Sequence, residues 1–281
     1  MGQIIACANQ KGGVGKTTTV VNLSTYLALA GDSVLVIDLD PQGNATSGFG
    51  LDRGAISHSV YEAITEDDRI ASLVLPTNVP NLSIVPSSIS LAGAEVELAP
   101  LPQRERRLAR ILTEIVSSYD YIVLDCPPSL GLLTVNALTA ADAVIIPIQC
   151  EYYALEGLSQ LIATINLVRN HLNPDLAIKG VVLTMFDHRT NLSAEVDAEV
   201  RKYLGSTVFD TIIPRNVRLS EAPSYGLPIA LYRPGSKGAE SYAGLAAELR
   251  ARDGRPAHPI PTGPNRHAHR QAGAAARTGE E

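Results

Sequence analysis

The stretch from Ile4 to Gly31 limits the possible architectures more than any other part of the chain. An apolar run, Ile4–Ala8, leads into Lys11-Gly12-Gly13-Val14-Gly15-Lys16-Thr17-Thr18, and a helical pattern then runs from Lys16 to Ala30. Gly31 follows where a helix stop is expected. A strand, a glycine-rich loop and a helix in succession form the first half of a βαβ unit. Glycines 12, 13 and 15 let backbone N–H groups close around phosphate oxygens with no Cβ in the way. The helix start adds its partial positive charge. In this pattern Lys16 reaches the β- and γ-phosphates and Thr17 places its hydroxyl on Mg²⁺, while Val14 and Thr18 complete the loop. The first glycine of the usual G-x-x-x-x-G-K-[ST] form is replaced by Gln10, and a second lysine, Lys11, comes next.

Further strand-like runs lie at Ser33–Asp38, Leu82–Pro86, Tyr121–Asp125, Ala143–Pro147, Ile178–Thr184 and, more briefly, Val208–Ile212. Helical patterns fill Arg104–Ser118, Leu155–His171, Ser193–Leu204 and Gly238–Arg250. Alternation of this kind predicts an α/β chain: a single doubly wound, P-loop NTPase-like domain with a mostly parallel sheet flanked by helices. Composition agrees. Apolar residues make up 45% of the 281, with no Trp and three Phe, so the core must be built of Val, Ile, Leu and Ala, as suits strands covered on both faces. The domain is expected to span residues 1–252. Residues 253–281 turn to Pro, His, Arg and Ala without periodicity, and a disordered tail is expected there.

Two carboxylates close the second strand in Asp38-Leu39-Asp40-Pro41-Gln42, and a third, Asp125, ends Tyr121-Ile122-Val123-Leu124 just before Cys126-Pro127-Pro128. Strand ends of open α/β sheets are where ligands bind. A strand-end Asp after a phosphate loop is the Walker B form, which orients Mg²⁺. Thr17, Asp38 and Asp125 are therefore candidate metal-site residues, and Asp40 is a candidate for polarising the attacking water. A turn or helix N-cap is the purely structural alternative for Asp125.

The net charge of −6 argues against global attraction to nucleic acid. Its distribution is uneven: six Arg stand against one Asp and two Glu from residue 250 onward, and 17 basic against 26 acidic residues before it. Any DNA contact must therefore come from local patches. Cys7, Cys126 and Cys150 lack metal-ligand spacing and are expected as buried reduced thiols. No apolar run approaches the ~20 residues of a membrane span, and a cytoplasmic protein without a membrane partner is expected.

Lys11 resembles the signature lysine of the deviant Walker A ATPases, which reaches across a dimer to the partner's phosphates. The segments Lys11–Thr18, Asp38–Gly48, Asp125–Gly131, Gln149–Gly157 and Ile213–Pro223 together resemble the ParA/Soj chromosome-partitioning ATPases, of the short chromosomal type. The resemblance runs from residue 3 to about 250. It implies weak ATP hydrolysis with Mg²⁺, with Lys11 and Lys16 acting beside Asp40. It implies an ATP-dependent homodimer that binds double-stranded DNA without sequence preference, and a ParB-type centromere-binding partner that stimulates hydrolysis and release. A nucleoid-associated location follows from this. Arg189 and Arg218 match the family's DNA-contacting arginines, and Pro214 and Asn216 fall in the loop that packs on adenine. Some relatives also act on a replication initiator.

Three other readings compete. A related ATPase that positions another cargo or division proteins at a membrane would carry an amphipathic C-terminal helix, which the tail does not show. A reductase component would need paired cluster-ligating cysteines. A nucleotide-independent DNA-binding module would keep its DNA affinity without Lys16.

Overall fold

The computed structural model describes residues 2–151 and 154–257, and of 154–156 the helical backbone alone. Tyr152, Tyr153 and the expected tail from residue 258 onward lie outside the described residues. The strands are β1 Gln3–Cys7, β2 Val34–Asp38, β3 Leu75–Pro76, β4 Leu82–Val85, β5 Tyr121–Asp125, β6 Ala143–Gln149 and β7 Ala177–Thr184. They form one sheet in the order β3-β4-β2-β5-β1-β6-β7. Every pairing is parallel except that of β3 with β4. Pro76 is tolerated in β3 because that strand is an edge.

Side chains alternate between the two faces along each strand, and both faces are covered. Ile4, Ala6, Leu35, Ile37, Ile122 and Leu124 belong to one buried apolar cluster. Ile5, Cys7, Val34, Val36, Tyr121 and Val123 belong to the other. The helices supply the cover: α1 Lys16–Leu29, α2 Asn44–Gly48, α3 Val60–Thr65, α4 Leu91–Leu98, α5 Arg107–Leu112, α6 Leu132–Ala140, α7 Ala154–His171, α8 Asn191–Leu204, α9 Val217–Glu221, α10 Ile229–Tyr232 and α11 Lys237–Arg252. Helices α3 to α8 pack on the first face, and α1, α2, α9, α10 and α11 on the second. Helix α1 stops as expected. Gly31, at φ 94°, donates its N–H to the Ala28 carbonyl, and Asp32 donates to that of Leu27, which closes the helix end.

Two expected elements differ. No strand forms at Val208–Ile212; Val208 and Pro214 make single bridges to Val181 and Phe186. Between them the N–H groups of Asp210 and Thr211 donate to the Glu248 carboxylate on α11, at 2.8 and 2.9 Å, so they are not available to β7. The expected helix Arg104–Ser118 is three pieces, with 3₁₀ turns at Arg104–Arg106 and Val116–Ser118 on either side of α5. The Leu108 N–H is taken by Asn136 Oδ1 at 3.1 Å, and the Thr113 hydroxyl takes the Arg110 carbonyl at 2.7 Å. Both contacts compete with the helical ladder. Strand β3 and helices α2, α3, α4, α6, α9 and α10 were not expected.

After β7 the chain folds back over the start of α1. The Asn22 side chain fixes this return, accepting from the Ile229 N–H and donating to the Thr18 carbonyl, each at 2.8 Å. Gly50 and Gly226, at φ 82° and 61°, meet backbone to backbone. A Cβ on Gly226 would fall 2.7 Å from the Gly50 Cα, so neither position has room for a side chain. At the amino-terminal ends of the central strands β2 and β5, buried Asp32 pairs with Arg250 and Arg255, and the Tyr121 hydroxyl donates to Asp253. The chain thus stays in contact with the sheet just past α11.

Candidate nucleotide site

Strands β2, β5 and β1 are neighbours whose carboxyl ends finish together, and the loop after each contributes to one site. Asp38 and Asp125 close β2 and β5 in register, with Cys7 of β1 in register on the other side of Asp125. The loop from Asn9 to Gly15 follows β1. Gly13 and Gly15 adopt φ 75° and 87°, the left-handed turns that bring the chain into α1. No side chain caps α1 and its first turn holds no acidic residue, so its N-terminal N–H groups face the loop.

The loop is braced from outside. Asn9 Oδ1 accepts from the Lys11 N–H at 3.0 Å, and Asn9 Nδ2 donates to the Pro147 carbonyl at 2.7 Å. Thr184 Oγ1 lies 2.8 Å from the Val14 carbonyl and 3.1 Å from that of Ile148. Lys16 is buried, its Nζ donating to the Lys11 carbonyl at 3.2 Å. The Lys11 ammonium points elsewhere and pairs with Glu151 at 2.9 Å, both side chains being about two-fifths exposed, 39% and 44%. The two lysines of one loop therefore occupy different environments.

Asp38 and Asp125 are both fully buried but differently satisfied. Asp38 Oδ2 accepts from the Thr46 N–H and hydroxyl at 2.8 and 2.7 Å, and Oδ1 from the Asp40 N–H at 3.2 Å. Burial pushes Asp38 up to about 6 in spite of those bonds. Neither oxygen of Asp125 has a hydrogen-bond partner. Burial first, and then the charge of Asp38, raises Asp125 well above the carboxylate range. Thr17 is close enough to favour its charged form without meeting hydrogen-bond geometry. Asp40 Oδ1 accepts the Gln42 N–H at 2.9 Å.

An orphaned buried carboxylate next to a threonine hydroxyl fits a small hard cation, and the open helix start beside them fits the phosphate that would share it. Mg²⁺ takes one or two protein oxygens and fills its remaining positions with water and phosphate. The three buried cysteines, free as expected, are not thiolates: burial holds Cys150 up to about 12 and raises Cys7 and Cys126 as well.

Beside Gly15 and Thr18 opens a cavity of about 250 Å³. Pro214, Asn216, Leu219 and Ser220 form one wall and Met185 another. Met185 sits at φ 51°, a left-handed conformation uncommon for a long side chain. The expected base-contacting residues thus line a space that continues from the phosphate loop. Arg189 and Arg218 are not in this space. They lie on the adjoining outer surface, exposed and in ion pairs with Asp187 and Glu221.

A family model described as an AAA domain matches residues 2–178. Over 251 residues the chain is 59% identical to the sporulation initiation inhibitor protein Soj of Bacillus subtilis (strain 168), covering 89% of this chain and 99% of that one. The chain belongs to the ParA/Soj family of chromosome-partitioning ATPases. It is also 56% identical over 253 residues to the chromosome partitioning protein ParA of Myxococcus xanthus, covering 90% of this chain and 89% of that one. Among solved structures, cobyrinic acid a,c-diamide synthase from Mycobacterium smegmatis, with bound ADP and magnesium, matches at a TM-score of 0.79 and 38% identity. That match covers 94% of this chain and all of the other, 100%.

Membership agrees with the P-loop ATPase fold and the recognition made from the motifs. Sequence reasoning missed Asn9, Thr46, Glu151 and Thr184 as supports of the ParA/Soj site. Thr46 and Glu151 fall inside the motif segments, but their bonds to Asp38 and Lys11 carry no local pattern. No helix among the described residues is long and apolar enough to cross a membrane.

Proposed function

We infer that this ParA/Soj-family chain partitions DNA through an ATP-controlled cycle. ATP, held with Mg²⁺, joins two subunits face to face, and the dimer binds double-stranded DNA without sequence preference. A ParB-type centromere-binding protein stimulates hydrolysis, which is weak without it, and the subunits separate and release the DNA. The placement of α9 is the observation that carries this. Leu219 and Ser220 line the base cavity, while Arg218 of the same helix faces outward.

Each residue then has a task. The N–H groups from Gly12 to Thr18 bind phosphate oxygens and Lys16 holds the β- and γ-phosphates. Thr17 and Asp125, with Asp38 beside them, hold the metal, which when bound neutralises charge developing on the phosphates. Asp40 orients the attacking water. Pro214 and Asn216 pack on adenine. Lys11 exchanges Glu151 for the phosphates of the other subunit. Arg189 and Arg218 contact DNA phosphates, and a dimer doubles them. A −6 chain with two such arginines should bind DNA poorly until that doubling. The synthase among the structural neighbours shares the nucleotide fold, but 59% identity to Soj against 38% favours the partitioning role.

The test is retention of the purified protein on an arbitrary duplex with ADP, with ATP, and with ATP plus a ParB-type protein. Retention is expected with ATP alone, to be lost in Lys16→Ala, and to persist in Asp40→Ala after the partner is added. Arg218→Glu should lose DNA but still dimerise. Equal retention without nucleotide would point to a nucleotide-independent DNA-binding module.

A further inference from the structure

The two arginines already assigned to DNA are not free. Asp187 holds Arg189 through both oxygens, at 2.8 and 2.7 Å, and Glu221 holds Arg218 at 2.7 Å. Each carboxylate has a second arginine nearby. Asp187 is held below the usual carboxylate range first by Arg189 and also by Arg215; Glu221 is held there first by Arg218 and also by Arg233. Arg215 and Arg233 are exposed, and neither has a carboxylate at ion-pair distance among the described residues.

The two trios lie on one surface. The Arg215 N–H donates to the Phe186 carbonyl at 2.9 Å, and Pro214 bridges to Phe186, so the Arg189 and Arg218 segments run side by side. Next to Arg218, the Tyr232 hydroxyl donates to Glu221 at 3.1 Å, and the Arg233 guanidinium lies 5.6 Å from the Tyr232 ring centroid. Tyr232 stacks on Tyr225 at 4.8 Å, and Tyr225 is 65% exposed.

We propose that Arg215, Arg233 and the Tyr225–Tyr232 stack belong to the DNA-contacting surface, and that Arg233 makes a phosphate contact of its own. This rests on the DNA-partitioning function inferred above. An arginine in a carboxylate pair already has an anionic partner, so moving to phosphate trades one strong bond for a similar one. An unpaired arginine gives up only water and releases a counterion from the DNA. Each trio sets two arginines against one carboxylate and is net positive, unlike the chain as a whole. The stacked tyrosines hold the Arg233 fork in place and add a flat face with hydroxyls at its rim.

The test uses the full chain with ATP and a fluorescent duplex of arbitrary sequence across a salt series. Arg233→Gln should lower the slope of log K against log salt by about 2 per dimer, at about 0.9 per lost phosphate contact. Glu221→Gln should strengthen binding by releasing Arg218, a gain that a folding defect could not imitate. Arg215 also lines the base cavity, so Arg215→Gln is read with ATP affinity measured in parallel. An unchanged slope in Arg233→Gln, with a lower one in Arg218→Gln, overturns the proposal and leaves the DNA-partitioning function standing. Wild-type protein that shows no ATP-dependent retention at any salt overturns that function itself.

Discussion

Asp38 and Asp125 end neighbouring strands in register, yet three donors reach the first carboxylate and none reaches the second. Two buried carboxylates this close repel each other, and the unsatisfied one carries the full cost of leaving water. The fold retains that cost at the position where a cation can remove it.

Asp125→Asn keeps the shape but cannot ionise, so it is expected to stabilise the nucleotide-free protein at neutral pH, because the unfolded chain no longer gains by releasing a proton that burial holds on Asp125. The same change should abolish the extra stabilisation that ATP with Mg²⁺ gives over ATP with chelator. Thermal melts in the three conditions measure both effects. A less stable apo variant would show that Asp125 is satisfied in solution.

The pH dependence has a definite sign. Burial lifts Asp38 from 3.8 to about 6 in the folded protein, so between those values the folded state keeps a proton that the unfolded chain has lost. The Asp38 contribution to the stability of the nucleotide-free protein should fall as pH climbs through that window and level off above it. Urea titrations of wild type and Asp38→Asn would check this, since the variant should lose much of the slope.

Thr46 fixes Asp38 from α2, and its hydroxyl also accepts the Ser87 N–H at 3.0 Å. Thr46→Val keeps the shape but removes both hydroxyl contacts. A buried hydrogen bond to a charged group is worth about 1.5–3 kcal/mol, so a loss of about 2 kcal/mol is expected in denaturant melts. Thr46→Ser should restore most of it. Equal stability of the valine variant would refute the role.

On the proposed cycle, Lys11 leaves Glu151 to serve the other subunit. The pair is partly exposed and worth at most about 1 kcal/mol, about a five-fold effect. Two such pairs are broken per dimer, so Glu151→Gln should let the ATP-dependent dimer form at up to about 25-fold lower protein concentration in sedimentation. A weaker dimer would place Glu151 among the residues that hold the two subunits together.

Much of this was legible in the sequence where the chemistry is local. Apolar runs that end in Asp marked the carboxyl edges of β2 and β5, glycines marked the phosphate loop, and Gly31 marked the end of α1. What failed was decided by partners far along the chain. Glu248 takes the N–H groups that would have made Val208–Ile212 a strand. Asn136 and Thr113 divide the helix expected over Arg104–Ser118. Helix α3 was readable after all: Ser59 and Glu62 form a capping box, a three-residue spacing visible in the sequence. The ion pairs that occupy Lys11, Arg189 and Arg218 have no signature, because a charge in sequence does not reveal what neutralises it.

Helix α9 has only five residues and is about 7.5 Å long. Its inner wall is the base cavity and its outer wall bears Arg218, with no intervening layer to absorb movement. On the proposed cycle, a base that shifts this helix would carry the Arg218 backbone with it, so nucleotide state and outer surface would be coupled through one turn of helix.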